Sequence, residues 1–172
     1  MMSLAELGCF ASHYALWQYC LCHNTPICVL EDDIEIESSF FEALDFLEKE
    51  IRGLYYVRLN YSWKHTKTKP TPFKQIHEII GVYNGIGTQG YVLTPQAATA
   101  FIKASRFFHV SVDWLMDAYH LHKIPNLVIK PFAIKDGGLY SSQIQHLERS
   151  LSPSLQLMHK IWWRYFPRFY PH

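Results

Sequence analysis

Apolar and polar positions change period several times along this chain, and each change marks an element. Leu4, Leu7, Ala11, then Tyr14 or Ala15, and Leu21 recur at helical spacing, which predicts a helix over 4–22 with those residues as its buried stripe. Gly8 interrupts that helix, and a glycine kept there predicts close approach of another backbone or a ligand. Pro26-Ile27-Cys28-Val29-Leu30 is a continuous apolar run and predicts a strand buried on both faces. It runs straight into Glu31-Asp32-Asp33, where continued alternation would put Glu31 and Asp33 on one side and Asp32 on the other. Ser39 and Glu42 have capping-box spacing and predict a helix over 40–52, with Phe40, Leu44, Leu47 and Ile51 inward and Gly53 just past its end. Residues 54–59 and 75–82 predict strands, and the polar stretch 60–74 between them predicts a long loop.

A glycine-rich segment, 85–90, leads into the strand Tyr91-Val92-Leu93. Thr94-Pro95 then supplies an N-cap and a first-turn proline for a helix over 95–105. Ser111 caps a further helix over 112–122, a short strand spans 126–130, and Asp136-Gly137-Gly138 forms a turn. Strands alternating with helices predict the α/β class.

At 172 residues the chain suits one domain, placed over 1–150, with 151–172 as a distinct tail. That tail interleaves Lys160, Arg164 and Arg168 with Trp162, Trp163, Tyr165, Phe166, Phe169 and Tyr170. Such a composition suits an interfacial membrane segment, with an aromatic terminal helix docked on the domain as the plainer alternative. A net charge of +1 gives no global field for nucleic acid. The four cysteines, Cys9, Cys20, Cys22 and Cys28, lack zinc-type spacing and read as reduced, mostly buried thiols. Neither a membrane-spanning run nor a signal-peptide pattern is present in the sequence given.

The acidic triplet carries the candidate chemistry. Three adjacent carboxylates repel one another, which a hard divalent cation such as Mn²⁺ or Mg²⁺ would relieve. A solvated strand end is the plainer alternative. The glycine-rich segment has neither the dinucleotide nor the P-loop fingerprint. His13 and Trp17, four apart, share a helix face as a core pair, and Asp113 in a first helical turn is favoured by the dipole alone. Lys64, Lys67, Lys69 and Lys74 make a basic loop able to meet phosphate or simply to face water.

Taken together, three stretches resemble glycosyltransferase family 25, the lipopolysaccharide and lipooligosaccharide galactosyltransferases with related collagen galactosyltransferase domains. The stretches are Glu6-Leu7-Gly8-Cys9 with Ser12-His13 and Trp17, then Val29-Leu30-Glu31-Asp32-Asp33, then Gly90-Tyr91-Val92-Leu93-Thr94 with Val112-Asp113. The resemblance implies a GT-A-like mixed sheet flanked by helices and metal-assisted, inverting transfer of galactose from a UDP-sugar to a lipid-linked oligosaccharide. It makes Asp113 the general base, Glu31 a ribose contact, and Asp33 and Asp32 metal ligands with His146 a third. His13 and Trp17 become pocket walls, and Tyr91 a stacking surface for sugar or base.

The family carries a further strand-bearing segment ahead of the Glu-x-Gly-Cys helix, so the fold is expected to be N-terminally truncated, with a protein partner able to cover the gap. Two other readings stand beside transfer: a non-catalytic remnant that binds saccharide or a partner subunit, and a metal-dependent phosphohydrolase using the same acids. The tail and a lipid-linked acceptor together imply a cytoplasmic enzyme peripheral to the inner membrane.

Overall fold

The computed structural model describes residues 2–61, 66–81, 87–107 and 110–137. His146, the tail over 151–172 and the boundary at 150 lie outside them.

Helix α1 (Leu4–Cys22) starts in a capping box that the sequence reading passed over. The Glu6 N–H donates to Ser3 Oγ at 3.1 Å, and the Ser3 N–H donates to the Glu6 carboxylate at 2.8 Å. The buried face is Glu6, Phe10, His13, Trp17 and Cys20, and not the predicted stripe. Leu4 is 88 % exposed. The helix is apolar nearly all round, so hydrophobic period alone could not choose its inward face. Gly8 is exposed, and nothing stands within 4 Å of where its Cβ would be, so the expected close approach is not there.

Strand β1 (Ile27–Leu30) forms an edge and is not buried on both faces: only Val29 is enclosed. It ends at Leu30, and the chain turns at Asp32-Asp33, so strand alternation does not extend through the acids. β2 (Ile34–Ile36) follows, then α2 (Phe40–Leu54). Phe40, Ala43, Leu47, Ile51 and Leu54 face inward, close to expectation. The capping box at its start does not form, because Ser39 Oγ instead donates to the Phe132 carbonyl at 2.8 Å. The helix runs through Gly53, and Tyr55 at φ 67° takes the left-handed position.

β3 (Tyr56–Arg58), β4 (Lys67–Pro70), β5 (Ile76–Ile80) and β6 (Gly90–Leu93) come next. β4 occupies part of the predicted loop because Lys67–Pro70 pairs antiparallel with β5. Helix α3 (Pro95–Ala104) is capped as predicted, the Ala97 N–H donating to Thr94 Oγ1. The helix expected over 112–122 is two pieces, α4 (Val112–Asp117) and α5 (Tyr119–His122), broken at Ala118. β7 (Leu127–Ile129) and β8 (Ile134–Asp136) complete the described elements.

The main sheet has the order β1-β6-β3-β7-β5-β4, with β3 and β7 parallel and every other pair antiparallel. β2 and β8 form a separate antiparallel pair. Period-two alternation sorts the strand residues onto two faces. Val29, Tyr56, Tyr91 and Leu93 pack under α1, α3 and α4, with Phe10, Trp17, Phe101, Leu115 and Met116. Val57, Leu59, Val92, Leu127 and Ile129 pack under α2, with Leu47 and Ile51. The result is the expected mixed α/β sheet with helices on both faces, consistent with a GT-A-like architecture. Among the described residues no helix is long and apolar enough to cross a membrane.

Candidate functional site

The site lies where β1 ends and β6 begins. Antiparallel pairing sets Leu30 opposite Gly90, and the Glu31 N–H donates to the Gln89 carbonyl at 2.9 Å. Gly90 is needed there for packing and not for a ligand: a Cβ would lie 2.4 Å from Ile134 Cδ1 and 3.1 Å from Leu30 Cδ2. Tyr91, the next residue, points to the α1 face, where Trp17 and His13 reach it from one helix turn.

A continuous chain of hydrogen bonds results. Trp17 Nε1–H donates to the Tyr91 hydroxyl at 3.1 Å. An indole nitrogen only donates, so the Tyr91 oxygen accepts there and its own proton is free to serve His13 Nδ1, 2.7 Å away. That assignment leaves the proton on His13 Nε2, which donates to Glu31 Oε1 at 3.3 Å. Thr88 Oγ1 donates to the same carboxylate oxygen. Burial alone would raise the Glu31 carboxyl, but His13 and Thr88, chiefly through their hydrogen bonds, outweigh it, and the net shift is downward.

Asp33 behaves differently. Its Oδ1 is enclosed and has no hydrogen-bond partner. Burial raises its carboxyl above the usual range, and the charges of Glu31, Asp136 and Asp32 add to this while its own backbone N–H opposes it. Its carbonyl accepts from the Gly137 N–H at 2.9 Å, which ties the acidic turn to the end of β8. Asp33 thus offers one enclosed, unpartnered carboxylate oxygen, of the chemistry a hard divalent cation takes, with the charges of three further acids acting on it. Asp32 is exposed beside it.

Cys9 sits one turn before His13 on the same face of α1. Its thiol is pushed up to about 11, by burial first and then by the charges of Glu31 and Asp113, with a hydrogen bond to Thr88 pulling the other way. Asp113, half-buried in the first turn of α4, accepts from Ser111 Oγ, and its charge also acts on Arg58. Asp113 is thus on the same face of the sheet as the relay.

Trp17 and Tyr91, expected as a pocket wall and a stacking surface, are both 0 % exposed. They act on the site through His13, itself buried. The reading of the cysteines as mostly buried is corrected: all four are free, Cys20 is buried, Cys9 is half-buried, and Cys22 and Cys28 are exposed.

The sequence reading missed Arg58. It is 1 % exposed and donates to Asp117 Oδ1 at 2.6 Å, to Asn126 Oδ1 at 2.9 Å and to the Gly87 carbonyl. Asn126 Nδ2 closes the triangle on Asp117 Oδ1 at 2.6 Å. Gly87 immediately precedes Thr88, so this buried group anchors the segment that reaches Glu31. The signal available was Tyr56-x-Arg58, which places a charge on the same buried strand face as Tyr56.

The sequence profile described as "Glycosyltransferase family 25 (LPS biosynthesis protein)" matches residues 1–116. The chain therefore belongs to glycosyltransferase family 25. It is 28 % identical over 156 residues to "Lipooligosaccharide biosynthesis protein lic2B" of Haemophilus influenzae, covering 81 % of this chain and 57 % of that protein. It is 27 % identical over 110 residues to "Procollagen galactosyltransferase 1" of Danio rerio, covering 60 % of this chain and 18 % of that one. A Bos taurus protein named "Probable inactive glycosyltransferase 25 family member 3" is 34 % identical over 53 residues, 30 % of this chain and 9 % of the other. The chain thus spans little more than half of the first of these relatives and far less of the other two.

Proposed function

We propose that this protein transfers a hexosyl group, galactose, from a UDP-sugar to a lipooligosaccharide acceptor. The observation that carries the reading is the pair of acids after β1. Glu31 is held ionised by His13 and Thr88, and Asp33 two residues on keeps an enclosed oxygen without a partner. The names of the lipooligosaccharide and procollagen relatives support the acceptor class and the sugar.

In this reading Glu31 receives the ribose hydroxyls through the carboxylate oxygen that His13 does not occupy. Asp33, with Asp32 beside it and His146 from outside the described residues, would hold Mn²⁺ or Mg²⁺. When bound, such an ion supplies positive charge against the leaving diphosphate. Asp113 takes the proton of the acceptor hydroxyl as that oxygen attacks the anomeric carbon. UDP departs from the opposite face, and the configuration inverts. The basic and aromatic residues of the tail hold the protein at the cytoplasmic face of the inner membrane, where a lipid-linked acceptor is concentrated.

The test is calorimetric titration with UDP, with and without Mn²⁺, followed by transfer from UDP-galactose to a lipooligosaccharide acceptor. UDP binding should require the metal and be lost in Asp33→Ala. Asp113→Asn should keep UDP binding and lose transfer by about 10²–10⁴-fold. Full transfer by both variants would overturn the roles. Saccharide binding without UDP binding would turn the reading to a non-catalytic member of the family.

A further inference from the structure

One cluster at this end of the sheet mixes donor types in a way that the transfer reading does not use. The thiol of Cys9, an imidazole nitrogen of His13 and a carboxylate oxygen of Glu31 all lie within 4.8 Å of one another. We propose that Cys9, His13 and Glu31 form a binding site for a thiophilic divalent cation of the zinc type, separate from the oxygen donors of Asp32 and Asp33.

The geometry supports it first. Two ligands about 2.0–2.1 Å from a tetrahedral zinc stand about 3.3 Å apart. His13 Nε2 and Glu31 Oε1 are 3.3 Å apart, a long separation for a charge-assisted hydrogen bond but the right one for that edge. Cys9 and His13 are one helix turn apart on a helix that is capped and packed at this end, so sulfur and nitrogen are offered from one rigid face. The carboxylate that completes the set is fixed by Thr88.

The surroundings support it second. A metal-binding histidine is oriented by what its other ring nitrogen bonds to. Here that partner is the buried Tyr91 hydroxyl at 2.7 Å, itself fixed by Trp17. On metal binding His13 changes tautomer: Nδ1–H donates to the Tyr91 oxygen, which turns from donor to acceptor, and the Nε2 lone pair faces the ion. The Cys9 thiol gives up its proton to solvent, one per ion bound. Negative charge from Glu31 and Asp113 already acts on Cys9, so a cation there is electrostatically favoured. Sulfur and nitrogen donors select zinc over the manganese or magnesium that carboxylates alone prefer. Three protein ligands leave a fourth position, on the side where the Glu31 side chain is 28 % exposed. Occupancy ties the middle of α1 to the end of β1.

The experiment is titration of the metal-stripped full chain with Co²⁺, read by the thiolate-to-cobalt charge-transfer absorption, with Zn²⁺ as competitor. The proposal expects one thiolate-bound ion per chain, an absorption that Zn²⁺ abolishes, and release of one proton for each such ion. Cys9→Ser should lose the absorption, whereas Cys28→Ser and Asp33→Asn should keep it. Tyr91→Phe, which leaves all three ligands in place, should weaken Zn²⁺ binding by about 10–100-fold. No charge-transfer absorption in the unmodified chain, one that survives Cys9→Ser, or one that Cys28→Ser also abolishes overturns the proposal. UDP binding with Mn²⁺ is read separately, so this site can fail while the transfer reading stands.

Discussion

His13 Nε2 and Glu31 Oε1 meet at 3.3 Å across the junction between the first helix and the end of the first strand. Eighteen residues separate them in sequence. The contact exists because β1 pairs with β6, which carries Tyr91 to the same helix face and aims the imidazole at the acid. The supports of that arrangement can be removed one at a time.

Tyr91→Phe takes away one oxygen and leaves two buried groups, Trp17 Nε1–H and His13 Nδ1, without their partner. Leaving a buried polar group unsatisfied costs about 1–3 kcal/mol. Urea unfolding should show a loss of that size with an unchanged denaturant slope. A variant as stable as the parent would mean that the relay contributes nothing to the fold.

Arg58→Met removes the cation that pairs with the buried Asp117 and releases the Gly87 carbonyl. Breaking one side of a buried ion pair costs about 3–5 kcal/mol. Replacing both, as Arg58→Met with Asp117→Leu, should cost less than Arg58→Met alone, because no uncompensated charge remains. A double-mutant cycle by chemical denaturation measures this, and purely additive costs would refute the coupling.

His122 sets a pH dependence. Burial pushes its imidazole down to about 4, with the positive charges of His120 and Arg58 adding to the shift and carbonyls of Met116 and Leu115 opposing it. It stays neutral in the fold, accepts from the Ile124 N–H through Nδ1 at 3.0 Å and packs edge-on against Phe101. The unfolded chain takes up a proton near the ordinary value of 6.5 while the folded chain does not. The contribution is therefore complete above about pH 6.5 and is lost as pH falls toward 4, a loss of roughly 3 kcal/mol. Stability measured across that window should slope downward with acid, and His122→Leu should flatten the slope.

Gly90→Ala drives a methyl group into Ile134 Cδ1, which is fully enclosed. Overpacking of this kind costs about 1–3 kcal/mol. Adding Ile134→Val, which removes the atom in the way, should recover part of the loss in thermal unfolding. No recovery would place the strain elsewhere.

Much of this molecule was legible in one dimension. The Thr94-Pro95 start of α3, the inward positions of α2 and the strand character of 56–58, 76–80 and 90–93 follow from local rules, because caps, proline and period act within a few residues. The motifs around His13, Glu31 and Tyr91 marked the same end of the sheet, where the structure joins those three residues in one chain of hydrogen bonds.

The rest needed the third dimension. α1 is apolar on nearly every side, so only the sheet beneath it could decide that Phe10, His13 and Trp17 turn inward and Leu4 outward. β1 carries a core-like run yet lies at an edge, because strand order is fixed by long-range pairing and not by the strand's own residues. Arg58 reads as an ordinary polar residue at the end of a strand until Asp117, dozens of positions away, arrives to neutralise it and Asn126 to accept its Nε–H. Sequence determined which side chains were present to do chemistry. Pairing and packing decided which of them touch, since a hydrogen bond acts over about 3 Å of space and has no regard for distance along the chain.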